Sequence, residues 1–271
     1  MSLRARPWVA ALPALLTVAV LFGGALAGAV GSSLQPDPVA GGEQSLAAWR
    51  EVLADPAFHA ALAFTAWMAV VTTVLAVPAA VLVAVAVRGR AWARTAAALP
   101  ILVPHLLVAV VTVAWLGPGG LAERLVGALP VDVVRAPSGL GVVVVYLFKE
   151  VPFLALLILA VWDGDIGARE EAAAVHGAGA RARLLHVVLP AVRGPVLVGA
   201  LIVAAFVVGS FEVPLVVGPT RPETVATYAL RVTQVADLAG RARSAVALLV
   251  TTGATLLLAV VAAVALRGRH G

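Results

Sequence analysis

The chain has 271 residues, of which 62% are hydrophobic and only 12% charged, and its mean hydropathy is +1.05. A water-soluble domain carries roughly 25% charged residues, so the composition excludes a water-covered globule and places the chain in lipid. There is no cysteine, which removes disulfides, thiolate metal sites and thiol chemistry. The net charge of +5 reads as membrane topology rather than nucleic-acid binding, because no basic stripe is interleaved with aromatics.

The apolar runs are long and continuous, unlike the short alternating segments of an outer-membrane barrel. Helices then remain as the way to satisfy backbone groups in hydrocarbon, and the predicted fold class is an all-α, polytopic bundle. A crossing needs about 20 apolar residues, and six segments reach it: Pro7–Val30, Ala60–Val87, Thr95–Leu116, Leu140–Trp162, Pro195–Val217 and Ala245–Leu266. The first, with Arg4, Arg6 and Ala25-Leu26-Ala27, imitates a cleavable signal. Its apolar run exceeds the ~7–15 residues of such a segment, so it reads as a retained helix. Gly31–Pro56 is rich in Gly, Pro and Ser, with a surface helix predicted at Leu46–Leu53. In Gly117–Gly139, Leu121, Leu125 and Leu129 recur at a helical spacing that suits the membrane interface. Pro78, Pro104, Pro152 and Pro214 fall inside spans, where membrane helices tolerate them.

Arginines orient the bundle. Arg4, Arg6, Arg88, Arg90, Arg94, Arg169, Arg181, Arg183, Arg193, Arg267 and Arg269 all fall on one side of an even number of spans. The opposite loops dilute their arginines with Asp37, Glu43, Glu51, Asp55, Glu123, Asp132, Glu223 and Asp237. The bias predicts both termini in the cytoplasm, although Arg241 and Arg243 run against it.

The longest segment on that side, Asp163–Gly194, has an ordered polar pattern. Asp163 or Asp165 is placed to cap a helix starting near Ile166, with Glu170 and Glu171 in its early turns, where the helix dipole favours negative charge. Gly177 and Gly179 break it. A second helix is expected from about Ala180 to Leu189, after which Pro190 and Pro195 turn the chain back toward the membrane. Two short helices around a glycine break suit a docking element; a plain solvated loop is the other reading of the charge pattern.

Glu171-Ala172-Ala173, three residues, Gly177, nine residues, Val187, one residue, Leu189-Pro190 resembles the EAA motif of permease subunits of binding-protein-dependent ABC importers, with Val187 in place of isoleucine. The position between the fourth and fifth of six spans agrees. The resemblance implies a type I ABC-importer permease fold, with residues 1–59 as an added helix and external loop, 60–266 as the core permease domain containing the 163–194 coupling loop, and 267–271 as a cytoplasmic tail. It assigns ATPase coupling to Glu171, Ala172, Ala173, Gly177, Leu189 and Pro190. It implies as partners two ABC ATPase subunits, a second permease (the same chain or a related one), a periplasmic or lipoprotein solute-binding protein and membrane lipid, in a bacterial inner membrane.

The chain supplies no chemistry of its own on this reading. A phosphate-binding loop ends in Gly-Lys-Ser/Thr, but the sole lysine is Lys149, between Phe148 and Glu150 in the fourth span. ATP and Mg are therefore expected to be used by the partner, with no cofactor bound here. His59, His105, His176, His186 and His270 are scattered, without metal-ligand spacing. No serine sits in a nucleophile elbow.

Ionisable residues inside spans are functional candidates. Lys149, Glu150 and Glu212, with Pro152 and Pro214 two residues after the glutamates, form the candidate translocation pathway. The structural reading of the same charges is an ion pair of Lys149 with Glu150 or Glu212. The stretches Lys149–Phe153 and Ser210–Leu215 are similar to those of permeases for polyamines, ferric iron and thiamine. The alternative from another class is a proton-coupled secondary transporter with Lys149, Glu150 and Glu212 as its relay.

Overall fold

A computed structural model of the chain describes residues 7–35, 44–234 and 239–267. Among these residues there are helices and connecting loops and no strand. In chain order the helices are α1 (Pro7–Leu34), α2 (Ala47–Ala54), α3 (Pro56–Val87), α4 (Ala91–Leu102), α5 (His105–Leu116), α6 (Leu121–Val126), α7 (Leu140–Val161), α8 (Gly167–Val175), α9 (Ala180–Arg183), α10 (Leu189–Gly209), α11 (Glu212–Val217), α12 (Val225–Gln234) and α13 (Ala239–Arg267). Six stretches are long and apolar enough to cross a membrane: Ala11–Leu34, Pro56–Val87, His105–Val126, Leu140–Val161, Ala180–Gly209 and Ala239–Val261. The predicted surface helix after the first span is α2, and α6 is a short helix in the loop after α5.

Proline explains where the predicted boundaries move. The expected continuous span Thr95–Leu116 is divided into α4 and α5. Pro104 has no N–H to donate and pushes the preceding residue out of helical conformation, and Val103 is extended (φ −82°, ψ 129°). The fifth span also divides, at Ser210 (ψ 140°), and α11 follows. By contrast α7 runs unbroken through Pro152.

Pro190 does not turn the chain back as expected. Leu184–Val188 forms a π-helical turn leading straight into α10, and the Leu189 N–H bonds five residues back to the Leu184 carbonyl. One wide turn absorbs the missing N–H of Pro190 and keeps its ring off the preceding carbonyls. A second π turn, Trp162–Ile166, joins α7 to α8. The expected Asp163 cap is consequently absent: Ile166 precedes α8 in helical conformation with no side-chain cap, and the side chain of Asp165 lies outside the described residues.

The chain packs as two units, residues 1–59 with 228–252 and residues 60–227 with 253–271. In the first, the buried Ser33 hydroxyl accepts the Trp49 indole N–H at 3.1 Å and ties α1 to α2. Asp55 accepts the Ala57 N–H at 2.8 Å, which caps α3 with Pro56 at its first position. Its other oxygen accepts the Tyr228 hydroxyl at 2.7 Å, and the Tyr228 ring packs on Phe58.

In the second unit α7 is the central element, burying Val142, Val145, Tyr146, Leu154, Ala155 and Ile158 among others and packing on α4, α5, α10 and α11. Helices in lipid gain little from hydrophobicity and associate by close packing, for which small residues at the interface are needed. Ala76, Ala80 and Ala84 of α3 form such a stripe, fully buried in this core. On α10, a Cβ built at Gly199 would lie 2.6 and 2.7 Å from Leu154 and Leu157 of α7. Gly199→Val is expected to displace the Leu154 and Leu157 side chains and to cost about 1–3 kcal/mol, read as a lower midpoint of thermal unfolding of the purified chain; an unchanged midpoint would contradict a tightly packed contact there.

Candidate functional site

Two polar constellations in the second unit hold the residues singled out in the sequence. The first is the Asp163–Gly194 loop. Glu171 and Ala172 are exposed on α8, Ala173 is half-buried, and Val175, one turn on, is 85% exposed. The helix ends on Gly177 at φ +85°. The Ala178 N–H bonds to the Ala173 carbonyl and the Gly177 N–H to the Ala174 carbonyl, both at 3.0 Å. This is the glycine-terminated helix end in which a left-handed residue closes the last carbonyls. A Cβ at Gly177 would meet nothing within 4 Å, so the backbone conformation and not space requires glycine here. Leu189 packs on the core from the start of α10, while Pro190 beside it is exposed.

What holds this loop is a set of long-range contacts among residues whose sequence pattern suggests only a cap (Asp163), an early-turn acid (Glu170) and orienting arginines (Arg88, Arg94, Arg183). Glu170 points inward, with 14% of its side chain exposed. It accepts the Arg88 guanidinium and, at 2.9 Å, the Trp162 indole N–H, and lies 3.4 Å from Arg183 Nε. Arg88 also stacks over the Trp162 ring at 4.5 Å. Beside this node Arg94 grips Asp163 with two nitrogens, at 2.5 and 3.0 Å. Burial alone would raise the Glu170 carboxyl. The Trp162 and Arg88 hydrogen bonds and the charges of Arg88 and Arg183 overcome it and hold the group below the ordinary carboxylate range. The only hint in the sequence was Glu170 beside Glu171; helical geometry turns successive residues to different faces, one into the node and one to the surface.

The second constellation lies within the spans. Lys149 and Glu150 are 5% and 8% exposed. Neither expected ion pair of Lys149 forms. Its ammonium instead donates to the Pro100 carbonyl at 2.7 Å, the Ile101 carbonyl at 2.9 Å and the Val103 carbonyl. They lie at the negative end of α4, beside the break before Pro104, and the Pro100 carbonyl also accepts the Val103 N–H at 3.3 Å. Three ammonium N–H groups meet three backbone carbonyls.

Glu150 is 3.2 Å from His105 Nε2, a histidine without metal-ligand spacing in the sequence. It is the first residue of α5, and its ring packs against Phe206 of α10 at 4.7 Å between centroids. Pro152 is half-buried in α7, Pro214 is buried in α11, and Glu212 is exposed in the first turn of α11. The structure thus joins Lys149, Glu150 and the α4–α5 break, and leaves Glu212 outside that cluster. Among the described residues no group of His, Asp and Glu is arranged to hold a metal ion.

The sequence matches no family model and no curated protein. Solved structures do match the fold. A chain of a bacterial alginate ABC transporter, in complex with an alginate pentasaccharide-bound periplasmic protein, superposes with a TM-score of 0.76 at 17% identity, over 94% of this chain and 91% of that one. A chain of a bacterial ABC transporter involved in import of the acidic polysaccharide alginate gives 0.76 at 16% identity, over 97% and 96%. The likeness establishes that this chain shares its fold with those transporter chains over nearly its whole length.

Two outcomes follow from the geometry. Lys149→Met is expected to deprive the Ile101 and Val103 carbonyls of their ammonium donor and to cost about 1–3 kcal/mol, whereas Glu212→Gln, at an exposed site, should stay within about 0.5 kcal/mol; thermal unfolding in detergent separates them. Glu170 sets a pH dependence whose sign is fixed. Its folded value lies below the unfolded value of about 4.3, so its stabilisation is complete above that value and is lost as pH falls through the lower, folded one. Hydrogen exchange of residues 163–183 should therefore stay slow at about pH 5 and quicken only below the ordinary carboxylate range; in Glu170→Gln the loop should exchange faster at neutral pH and lose that acid transition.

Proposed function

We propose that the chain is a transmembrane permease subunit of an ATP-driven, binding-protein-dependent importer in a bacterial inner membrane. The observation that carries this reading is the motif loop. Glu171, Ala172 and Ala173 of the EAA spacing lie on a short helix that Gly177 ends and whose Glu171, Ala172 and Val175 are exposed, while Glu170 and Asp163 lock its root to Arg88 and Arg94. A rigidly rooted helix with small exposed residues suits insertion into a partner's groove, and a force on it is passed to α3, α4 and α7 rather than dissipated in a slack loop. The fold of the alginate transporter chains supports the same assignment.

On this reading Glu171, Ala172, Ala173, Gly177, Leu189 and Pro190 couple the chain to one of two ATPase subunits, which bind and hydrolyse ATP with Mg. Residues 60–266 form the core permease domain with its 163–194 coupling loop, residues 1–59 an added helix and external loop, and 267–271 a cytoplasmic tail. Both termini face the cytoplasm on this reading, the orientation the arginine bias favours. A second copy or a related permease completes the pathway, and a solute-binding protein delivers cargo from outside. Glu150, Pro152, Glu212 and Pro214 are assigned to the pathway, and Lys149 serves it by holding the broken α4–α5 segment in place. Because the Lys149 charge is taken up by backbone carbonyls, it does not argue for an anionic solute. The cargo proposed from the two short stretches is a polyamine, ferric iron or a thiamine-like solute.

Reconstitution of the chain with its ATPase and binding protein tests the assignment. Gly177→Asp and Glu171→Arg should each abolish uptake together with ATP hydrolysis stimulated by the binding protein, and persistence of both activities would remove the coupling role. Gly177→Asn, which tolerates the left-handed conformation, should keep more activity than Gly177→Val, for which that conformation costs about 1–2 kcal/mol.

A further inference from the structure

A cavity of about 740 Å³ opens at the root of the Asp163–Gly194 loop. Its wall carries Arg88, Arg94, Arg181 and Arg183 against Asp163 and Glu170, so four positive charges face two negative ones and the wall is left at +2. Both carboxylates are already engaged, Asp163 by Arg94 and Glu170 by Arg88 and Arg183. Arg181 is exposed on the rim and has no ion pair or hydrogen bond among the described residues. None of the six motif residues lines the cavity.

The rest of the wall is apolar, with Val85, Leu184 and the Trp162 ring. The cavity also lies at a membrane boundary. It takes in Arg88 and Gly89, just past the end of the α3 span. Trp92, 75% exposed at the start of α4, is the kind of residue that sits at headgroup level.

We propose that this cavity binds a phosphate-bearing anion, and that its occupant is the headgroup of an anionic phospholipid in the leaflet on the loop's side. Guanidinium groups present paired donors that fit phosphate oxygens. Basic pockets between membrane helices on the cytoplasmic face suit lipid headgroups. The apolar wall gives glycerol and the first acyl carbons a surface that a free phosphate ion would leave wet. Occupancy would bridge the end of α3, the start of α4 and the start of α9 through one ligand.

The inference rests on the membrane placement of the chain and not on its transport role, so the test needs neither ATPase nor solute. The full chain is delipidated in detergent and offered phosphatidylglycerol or phosphatidylcholine in mixed micelles, and retained lipid is counted by native mass spectrometry. The chain is expected to retain phosphatidylglycerol preferentially. Arg181→Gln should weaken that retention about fivefold, the worth of one arginine at an anionic surface. Arg181→Lys should recover part of it, and Arg193→Gln, which removes an exposed charge of the same loop outside the cavity, should leave it unchanged. Failure of millimolar inorganic phosphate to displace the lipid supports the headgroup; displacement by phosphate alone would assign the cavity to the free anion and overturn the lipid. Equal retention of the two lipids, or an equal effect of Arg181→Gln and Arg193→Gln, would overturn the site altogether.

Discussion

A helix broken inside a membrane must find partners for the backbone groups it frees, because hydrocarbon offers none. Here that constraint falls on the segment before Pro104, and Lys149 meets it. Its ammonium gathers the carbonyls of Pro100, Ile101 and Val103, so a costly buried charge and the carbonyl-rich end of a broken helix satisfy each other. Each would be unfavourable alone. The contact ties α4 to the middle of α7, the helix on which α4, α5, α10 and α11 pack. Glu150, next in the chain, reaches His105 at the start of α5, so α7 holds both sides of the break.

The loop beyond α7 is rooted by the same kind of economy. Glu170 serves Arg88, Arg183 and Trp162 at once, and Asp163 serves Arg94. Those contacts join the ends of α3, α4 and α7 to the base of α8. Glu171, a single residue along the helix, faces outward. Neighbouring glutamates therefore lie on different faces of one short helix, one anchored inward and one exposed, and Gly177 ends that helix sharply.

The π turns at Trp162–Ile166 and Leu184–Val188 give the loop its continuity with the membrane helices. A capped start and a proline stop would have made it a flexible insert. Instead helix runs from α7 into α8 and from α9 through Pro190 into α10, so the loop is interrupted at its tip, around His176–Gly179, and not at its roots.

Composition and apolar run length were enough to determine an all-α membrane bundle with six spans, since crossing hydrocarbon demands about 20 apolar residues whatever the tertiary structure. The motif spacing and the need for a glycine at 177 were legible for a similar reason: helix termination is a local property of a few consecutive residues. The partners of Lys149, Glu150 and Glu170 were not legible. Lys149 meets carbonyls 46 to 49 residues away and Glu170 meets Arg88 82 residues away. A charge in a span announces only that something must satisfy it. Which carbonyl, histidine or guanidinium does so is decided by helix packing, because Lys149's nearest opposite charge in sequence, Glu150, was drawn to a different neighbour.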